Sequence, residues 1–204
     1  RNMIDGYTRE AGVRSLERRI ADICRKAAKK VVEDPEIKQI VVKPEDLREY
    51  LGEDTIIQER ISDTDEVGVV NGLAYTEVGG DMLRVETAVF EGSGKLELTG
   101  SLGDVMKESA HIALSFVRSR AKELGIDPMF YKNRDIHIHV PEGAVPKDGP
   151  SAGVTLVTSL ASALSGIPVR RDIAMTGEVT LRGKVLAIGG LREKTMAAYN
   201  AGVK

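Results

Sequence analysis

The sequence predicts an α+β chain in which a small helical unit precedes a larger unit of mixed strands and helices. Three observations carry this expectation: apolar residues at steps of three and four from Val13 to Val31, apolar-polar alternation over 83–89, and a strand–helix–strand succession over 135–176. The composition, 42% hydrophobic and 29% charged over 204 residues, is that of a soluble globular protein with a real core.

Val13, Leu16, Ile20, Ile23, Ala27 and Val31 make one stripe of the first helix, with Thr8 its expected cap and Asp34-Pro35 its end. Arg14, Arg18, Arg25, Lys26 and Lys29 give the remaining face a basic character. Ile40-Val41-Val42 is a short extended run, and Pro44-Glu45-Asp46 has the residue types of a first helical turn leading to Leu47, Tyr50 and Leu51. Residues 1–52 therefore form the expected helical unit. Between 53 and 66, Glu53, Asp54, Glu59, Asp63, Asp65 and Glu66 face only Arg60, without a sustained period, which predicts a linker.

Residues 67–204 form the second expected domain. Strands at 67–76, 83–89 and 95–99, joined by Gly79-Gly80-Asp81 and Glu91-Gly92-Ser93-Gly94, predict a three-stranded meander. An amphipathic helix follows over 102–124, with Val105, Ser109, Ala113, Phe116, Val117 and Leu124 on one side and Gly125 after it. Then come a strand at 135–140, a Gly/Pro-rich loop, a helix at 151–165 and a strand near 173–176. Leu181-Arg182-Gly183-Lys184 reads as a hairpin turn before a return strand at 185–188; Gly189-Gly190 breaks the chain ahead of a helix at about 191–200, which Gly202 ends.

No run of about 18 uncharged apolar residues and no signal pattern is present, so neither a membrane span nor secretion is expected. The single cysteine, Cys24, excludes an internal disulfide and fits a reducing compartment. A net charge of −2 gives no global electrostatic reason to bind nucleic acid or anionic lipid, so DNA binding is not indicated. The start at Arg1 and the end at Lys204 predict a piece of a longer chain, incomplete at its C-terminal end.

Ser151 stands where a glycine-rich loop meets a mostly apolar helix. Backbone N–H groups at a helix start lack intrahelical partners and favour an anion, which suits the oxyanion of acyl transfer; an ordinary N-cap serine satisfies the same local pattern. Lys194 lies near the start of a short helix, whose dipole disfavours its charge, and a lysine with a lowered pKa can serve as a base. A solvated surface lysine is the bland alternative, and Arg192 or Lys184 passes the same local test. His137 and His139 share one strand face; zinc would need further ligands, so structural packing or hydrogen bonding near the site is the better expectation and no metal is assigned.

Four ordered segments, Lys147-Asp148-Gly149-Pro150-Ser151-Ala152-Gly153, Met175-Thr176-Gly177-Glu178, Leu181-Arg182-Gly183 and Gly189-Gly190-Leu191-Arg192-Glu193-Lys194, resemble the peptidase domain of bacterial-type Lon, an ATP-dependent protease family. The similarity extends through Gly79-Gly80-Asp81, Leu102-Gly103-Asp104-Val105-Met106 and His137-Ile138-His139-Val140-Pro141-Glu142-Gly143. Tyr7-Thr8-Arg9-Glu10-Ala11-Gly12-Val13-Arg14 and Leu16-Glu17-Arg18 resemble the start of the family's small helical ATPase subdomain.

The resemblance implies a serine endopeptidase with a Ser151–Lys194 dyad, Thr176 as a hydroxyl that orients Lys194, Glu178 as a residue shaping the site and Arg14 as the arginine that senses nucleotide. It also implies ATP and Mg2+ bound by an ATPase module. This chain lacks a Gly-x-x-x-x-Gly-Lys-Ser/Thr loop, so no cofactor of its own is expected. Unfolded, misfolded or short-lived regulatory proteins are the implied substrates, a homohexameric ring the implied assembly, and the cytoplasm, or else the mitochondrial matrix, the implied location. Asp148, three residues before Ser151, is near enough in sequence to turn toward Lys194 and keep it protonated, which would make the loop a switch. Two other readings compete: a catalytically silent Lon-like assembly module, disfavoured by the presence of both Ser151 and Lys194, and a phosphate-binding domain, for which Lys147 and Ser151 have the wrong spacing.

Overall fold

A computed structural model describes residues 1–53, 56, 61–141 and 146–204. The chain divides into two units, Arg1–Glu59 and Arg60–Lys204. Parts of the expected linker, at 54, 55 and 57–60, and the segment 142–145, which includes Glu142 and Gly143, lie outside the described residues.

In the first unit, α1 (Asn2–Tyr7), α2 (Arg14–Glu33) and α3 (Leu47–Leu51) gather around Tyr7, Ile23, Leu47 and Tyr50. The α2 stripe is only partly covered, since Ile23 is buried while Val13, Ile20 and Val31 stay exposed. Thr8 does not cap α2. Its N–H and hydroxyl both donate to the Ile4 carbonyl and close α1, a helix the sequence pattern did not reveal. The α2 start is served instead by the Glu10 carboxylate, which accepts from the Ser15 N–H at 2.8 Å and the Leu16 N–H at 2.9 Å. A carboxylate outcompetes a neutral hydroxyl for this place because it also meets the positive end of the helix dipole.

The second unit has the expected α+β character. Among the described residues a five-stranded sheet runs in the order β3-β4-β2-β1-β5, from β1 (Val69–Thr76), β2 (Gly79–Glu91), β3 (Leu96–Thr99), β4 (Arg134–His139) and β5 (Ala174–Met175). β1 and β2 form an antiparallel hairpin, β4 is antiparallel to β2, and β3 and β5 are parallel to β4 and β1.

The expected meander is therefore wrong: β3 does not pair with β2, because β4 lies between them. The apolar content of the strands gives the reason. Ile136 and Ile138 of β4, with Val140 just after it, are buried and belong in the sheet's interior, whereas Leu96 and Leu98 of β3 are half-buried and suit an edge. Asp135 fixes the crossing, since its carboxylate accepts from the N–H groups of Ser93, Gly94 and Lys95 and holds the β2–β3 connection against the start of β4.

α4 (Asp104–Ser119) and α6 (Gly153–Ser165) cover the inner face of the sheet. Ala110 and Ala113 of α4 are fully buried and let the helices approach, while Leu156 and Leu160 of α6 fill the core with Met106, Val117 and Phe130. α4 stops short of the expected 124. The Ser119 hydroxyl takes the Phe116 carbonyl at 2.7 Å, competing with the helical pattern, and the chain turns from Arg120 onward. Its buried face is also displaced: Met106, Ser109, Ala110, Ala113 and Val117 point inward, and Val105 and Leu124 outward. α5 (Phe130–Asn133) leads into β4; β6 (Glu178–Val179) and β7 (Val185–Leu186) make a short hairpin, the second strand ending before the expected 188; α7 (Leu191–Ala201) follows.

Candidate active site

Ser151 is placed by backbone constraints on both sides. Gly149 has φ +121°, in the region that favours glycine, and Pro150 opens a 3-10 turn, Pro150–Ala152, that runs directly into α6. Gly153 lets the 177–179 segment lie against this turn, since a Cβ there would stand 2.7 Å from the Val179 nitrogen. Two backbone bonds then lock them together: the Gly177 N–H donates to the Ser151 carbonyl at 2.7 Å, and the Val154 N–H to the Gly177 carbonyl at 3.0 Å.

Lys194 arrives from the other side. α7 begins after Gly190, which adopts φ +67°, and the Lys194 N–H donates to the Gly190 carbonyl at 3.0 Å. The first turn of α7 lies flat on β2 at Gly80, where a Cβ would come within 2.1 Å of the Glu193 carbonyl oxygen. That close approach explains why Gly79-Gly80-Asp81 needs its second glycine, a role its place in a motif did not disclose.

The two functional groups meet: Lys194 Nζ donates to Ser151 Oγ at 3.1 Å and to Thr176 Oγ1 at 3.2 Å. Thr176 Oγ1 donates in turn to the Ser151 carbonyl at 3.3 Å. With its proton directed there, the threonine oxygen is left to accept from Lys194, so one hydroxyl aligns the amine and the serine backbone together. Lys194 is 3% exposed, and among the described residues no carboxylate is paired with it. Burial pushes its pKa below the ordinary value, because the charged form loses water without gaining an anion.

Ser151 and Lys194 face a cavity of about 610 Å³ whose apolar lining includes Leu73, Met82, Met106 and Ile188. Glu178 and Asp148 line the same cavity. Glu178 sits half-buried at the start of β6. The Asp148 carboxylate is turned toward α4, where Oδ1 accepts from the Met106 N–H at 3.0 Å and the Gly149 N–H at 2.9 Å. It thus caps a helix whose own N-cap residue, Gly103, has no side chain; that glycine was the signal for a cap arriving from elsewhere, and a Cβ on it would meet the Asp148 carboxyl at 2.3 Å.

The remaining sequence-derived candidates lie elsewhere. His137 Nε2 and His139 Nδ1 both hydrogen-bond Thr99 Oγ1, at 2.8 and 2.7 Å, and neither lines the cavity. Arg14 is the exposed first residue of α2. No group of three or more His, Cys, Asp or Glu side chains suited to a metal ion occurs among the described residues.

Comparison with known proteins gives this arrangement a family. Residues 41–204 match the Lon protease C-terminal proteolytic domain, and residues 1–40 the Lon protease AAA+ ATPase lid domain. The chain belongs to the Lon protease family. Among its relatives it is 59% identical over 202 residues to Lon protease 1 of Syntrophobacter fumaroxidans, covering 99% of this chain and 25% of that protein. It is 60% identical over 197 residues to Lon protease of Bacillus thuringiensis and 58% over 198 to that of Escherichia coli, each match covering 97% of this chain and 25% of the relative. The chain thus spans about a quarter of the length of the curated relatives it matches. Within this Lon-family chain, the Ser151, Thr176 and Lys194 side chains come together from three separate segments, all inside the match to the proteolytic domain.

Proposed function

We propose that this chain is the proteolytic portion of an ATP-dependent serine endopeptidase that cleaves unfolded polypeptide, with Ser151 as nucleophile and Lys194 as base. The observation that carries the reading is the 3.1 Å contact between Ser151 Oγ and the amine of a buried lysine that has no carboxylate partner among the described residues. Neutral Lys194 takes the serine proton as Oγ attacks the substrate carbonyl carbon, and the backbone N–H groups of Ser151 and Ala152, in the turn ahead of α6, receive the developing oxyanion. The resulting ammonium returns the proton to the leaving amine as the peptide bond breaks, leaving an acyl-enzyme on Ser151. A water molecule then gives a proton to Lys194 and attacks the ester carbon; as the bond to Oγ breaks, Lys194 returns that proton to Ser151 and the acid is released.

In this reading Thr176 orients the amine and Glu178 shapes the cavity wall. Asp148 joins the 149–151 segment to α4; to turn toward Lys194 it must first release both of its amide partners. Arg14 senses nucleotide, ATP and Mg2+ act through an ATPase module, and six copies form a ring that admits threaded chains. Residues 53–66 link a helical unit at 1–52 to the peptidase domain at 67–204. No helix among the described residues is long and apolar enough to cross a membrane, which fits a cytoplasmic location.

The test is covalent labelling of the intact protein with a serine-directed acylating or phosphonylating probe, followed by peptide mapping. The modification is expected on Ser151; a folded protein that is never labelled there is the silent module instead.

A further inference from the structure

Thr155 lies one turn beyond Ser151 on α6 and is completely buried. Its Oγ1 donates to the Met175 carbonyl at 3.2 Å. Met175 is the second residue of β5, a strand of two residues that pairs with β1 only at Asn71 and Gly72. Such a short ladder constrains its strand weakly, and Thr176, whose hydroxyl holds Lys194, comes immediately after it. Gly72 makes the threonine contact possible: a Cβ there would sit 3.1 Å from Thr155 Oγ1 and 3.0 Å from the Leu83 carbonyl oxygen.

We infer that Thr155 is a positioning residue for the Ser151–Lys194 pair, its hydroxyl setting the height of Thr176 against the start of α6. The inference rests on the dyad reading above. The backbone bonds between 151–154 and Gly177 hold one side of Thr176, and the Thr155 bond to Met175 holds the other. Without it, the Met175–Thr176 peptide can tilt, and the Thr176 oxygen leaves its place between the Lys194 amine and the Ser151 carbonyl.

The far end of α6 is anchored separately on the same helix face. Ser159 Oγ donates to the Gly68 carbonyl at 2.7 Å and meets Thr87 Oγ1 at 2.6 Å, while Ser162 Oγ accepts the Gly68 N–H at 2.8 Å. Threonine and serines at 155, 159 and 162 therefore register the helix against two backbone segments, at Met175 and at Gly68, and Thr155 is the member nearest the reacting atoms.

Thr155→Val keeps the shape and removes the oxygen; Thr155→Ser keeps the oxygen and removes a methyl group. In the intact protein, Thr155→Val is expected to lower kcat for an unstructured peptide by about tenfold or more, since ångström-scale displacements carry that cost, with KM within about twofold of the parent. Thr155→Ser is expected to keep the parental kcat although its melting temperature falls. Parental kcat in folded Thr155→Val, or losses in both variants that merely follow the folded fraction, would overturn the inference. If the valine variant does not fold, Thr155→Ala against Thr155→Ser decides by the same criterion. Probe labelling of Ser151 in the parent is the control: its absence there is a failure of the dyad reading, whereas a labelled parent with an unaffected valine variant is a failure of this inference alone.

Discussion

Ser151→Ala is expected to abolish peptide turnover and covalent labelling, with a loss on the order of 10⁴-fold or more, while the protein remains folded. Alanine removes one oxygen from a half-buried position whose backbone is held by bonds the side chain does not make, those from Gly177 and Thr176 to the Ser151 carbonyl. The side chain itself accepts one hydrogen bond, from Lys194. Stability should therefore change by about 1 kcal/mol or less, and the melting temperature should stay near the parent's. Turnover retained at the parental rate would remove Ser151 from the mechanism and leave it a helix-start residue.

Lys194→Arg is expected to be as inactive as Lys194→Met, although it keeps the positive charge. A guanidinium does not release its proton in a protein, so it cannot accept one from Ser151, and the 3% exposed site must also admit a larger, permanently charged group without a carboxylate partner among the described residues. The arginine variant should consequently be less stable than the methionine variant. The sign of the pH effect follows from the direction of the lysine shift. Burial lowers the folded-state pKa of Lys194 below 10.5, so in the interval between the two values the unfolded chain holds a proton that the folded chain has released. Stability contributed by this group thus rises with pH across that interval and is lower beneath it, where folding carries the cost of a buried charge. Thermal denaturation over pH should show this trend in the parent and lose it in Lys194→Met.

The parts of the site that sequence alone disclosed are those written in contiguous residues. Pro150-Ser151-Ala152-Gly153 and the Gly-Gly pair before Lys194 mark sharp turns into helices, and their family resemblance pairs the two segments. What escaped was set by partners distant in the chain. β4 displaces β3 from β2 because its isoleucines and Val140 need the interior, a competition between segments that no local alternation records. Asp148 caps α4 from 42 residues away, and Glu10 displaces Thr8 because a helix the pattern did not reveal had already claimed the threonine. Thr155 carries no mark in the sequence, since what distinguishes it is a hydrogen bond to β5, a strand 20 residues further along the chain.

The central claim is that Lys194 is held in a site that favours its neutral form, ready to take the Ser151 proton. Direct titration of the Lys194 ζ-nitrogen by NMR in the intact protein, assigned by comparison with Lys194→Met, tests it. A midpoint clearly below 10.5, matched by the rise in the rate of Ser151 acylation with pH, is the predicted result. A midpoint at or above 10.5 would contradict the account, since the lysine would then be an ammonium at working pH and unable to act as the base.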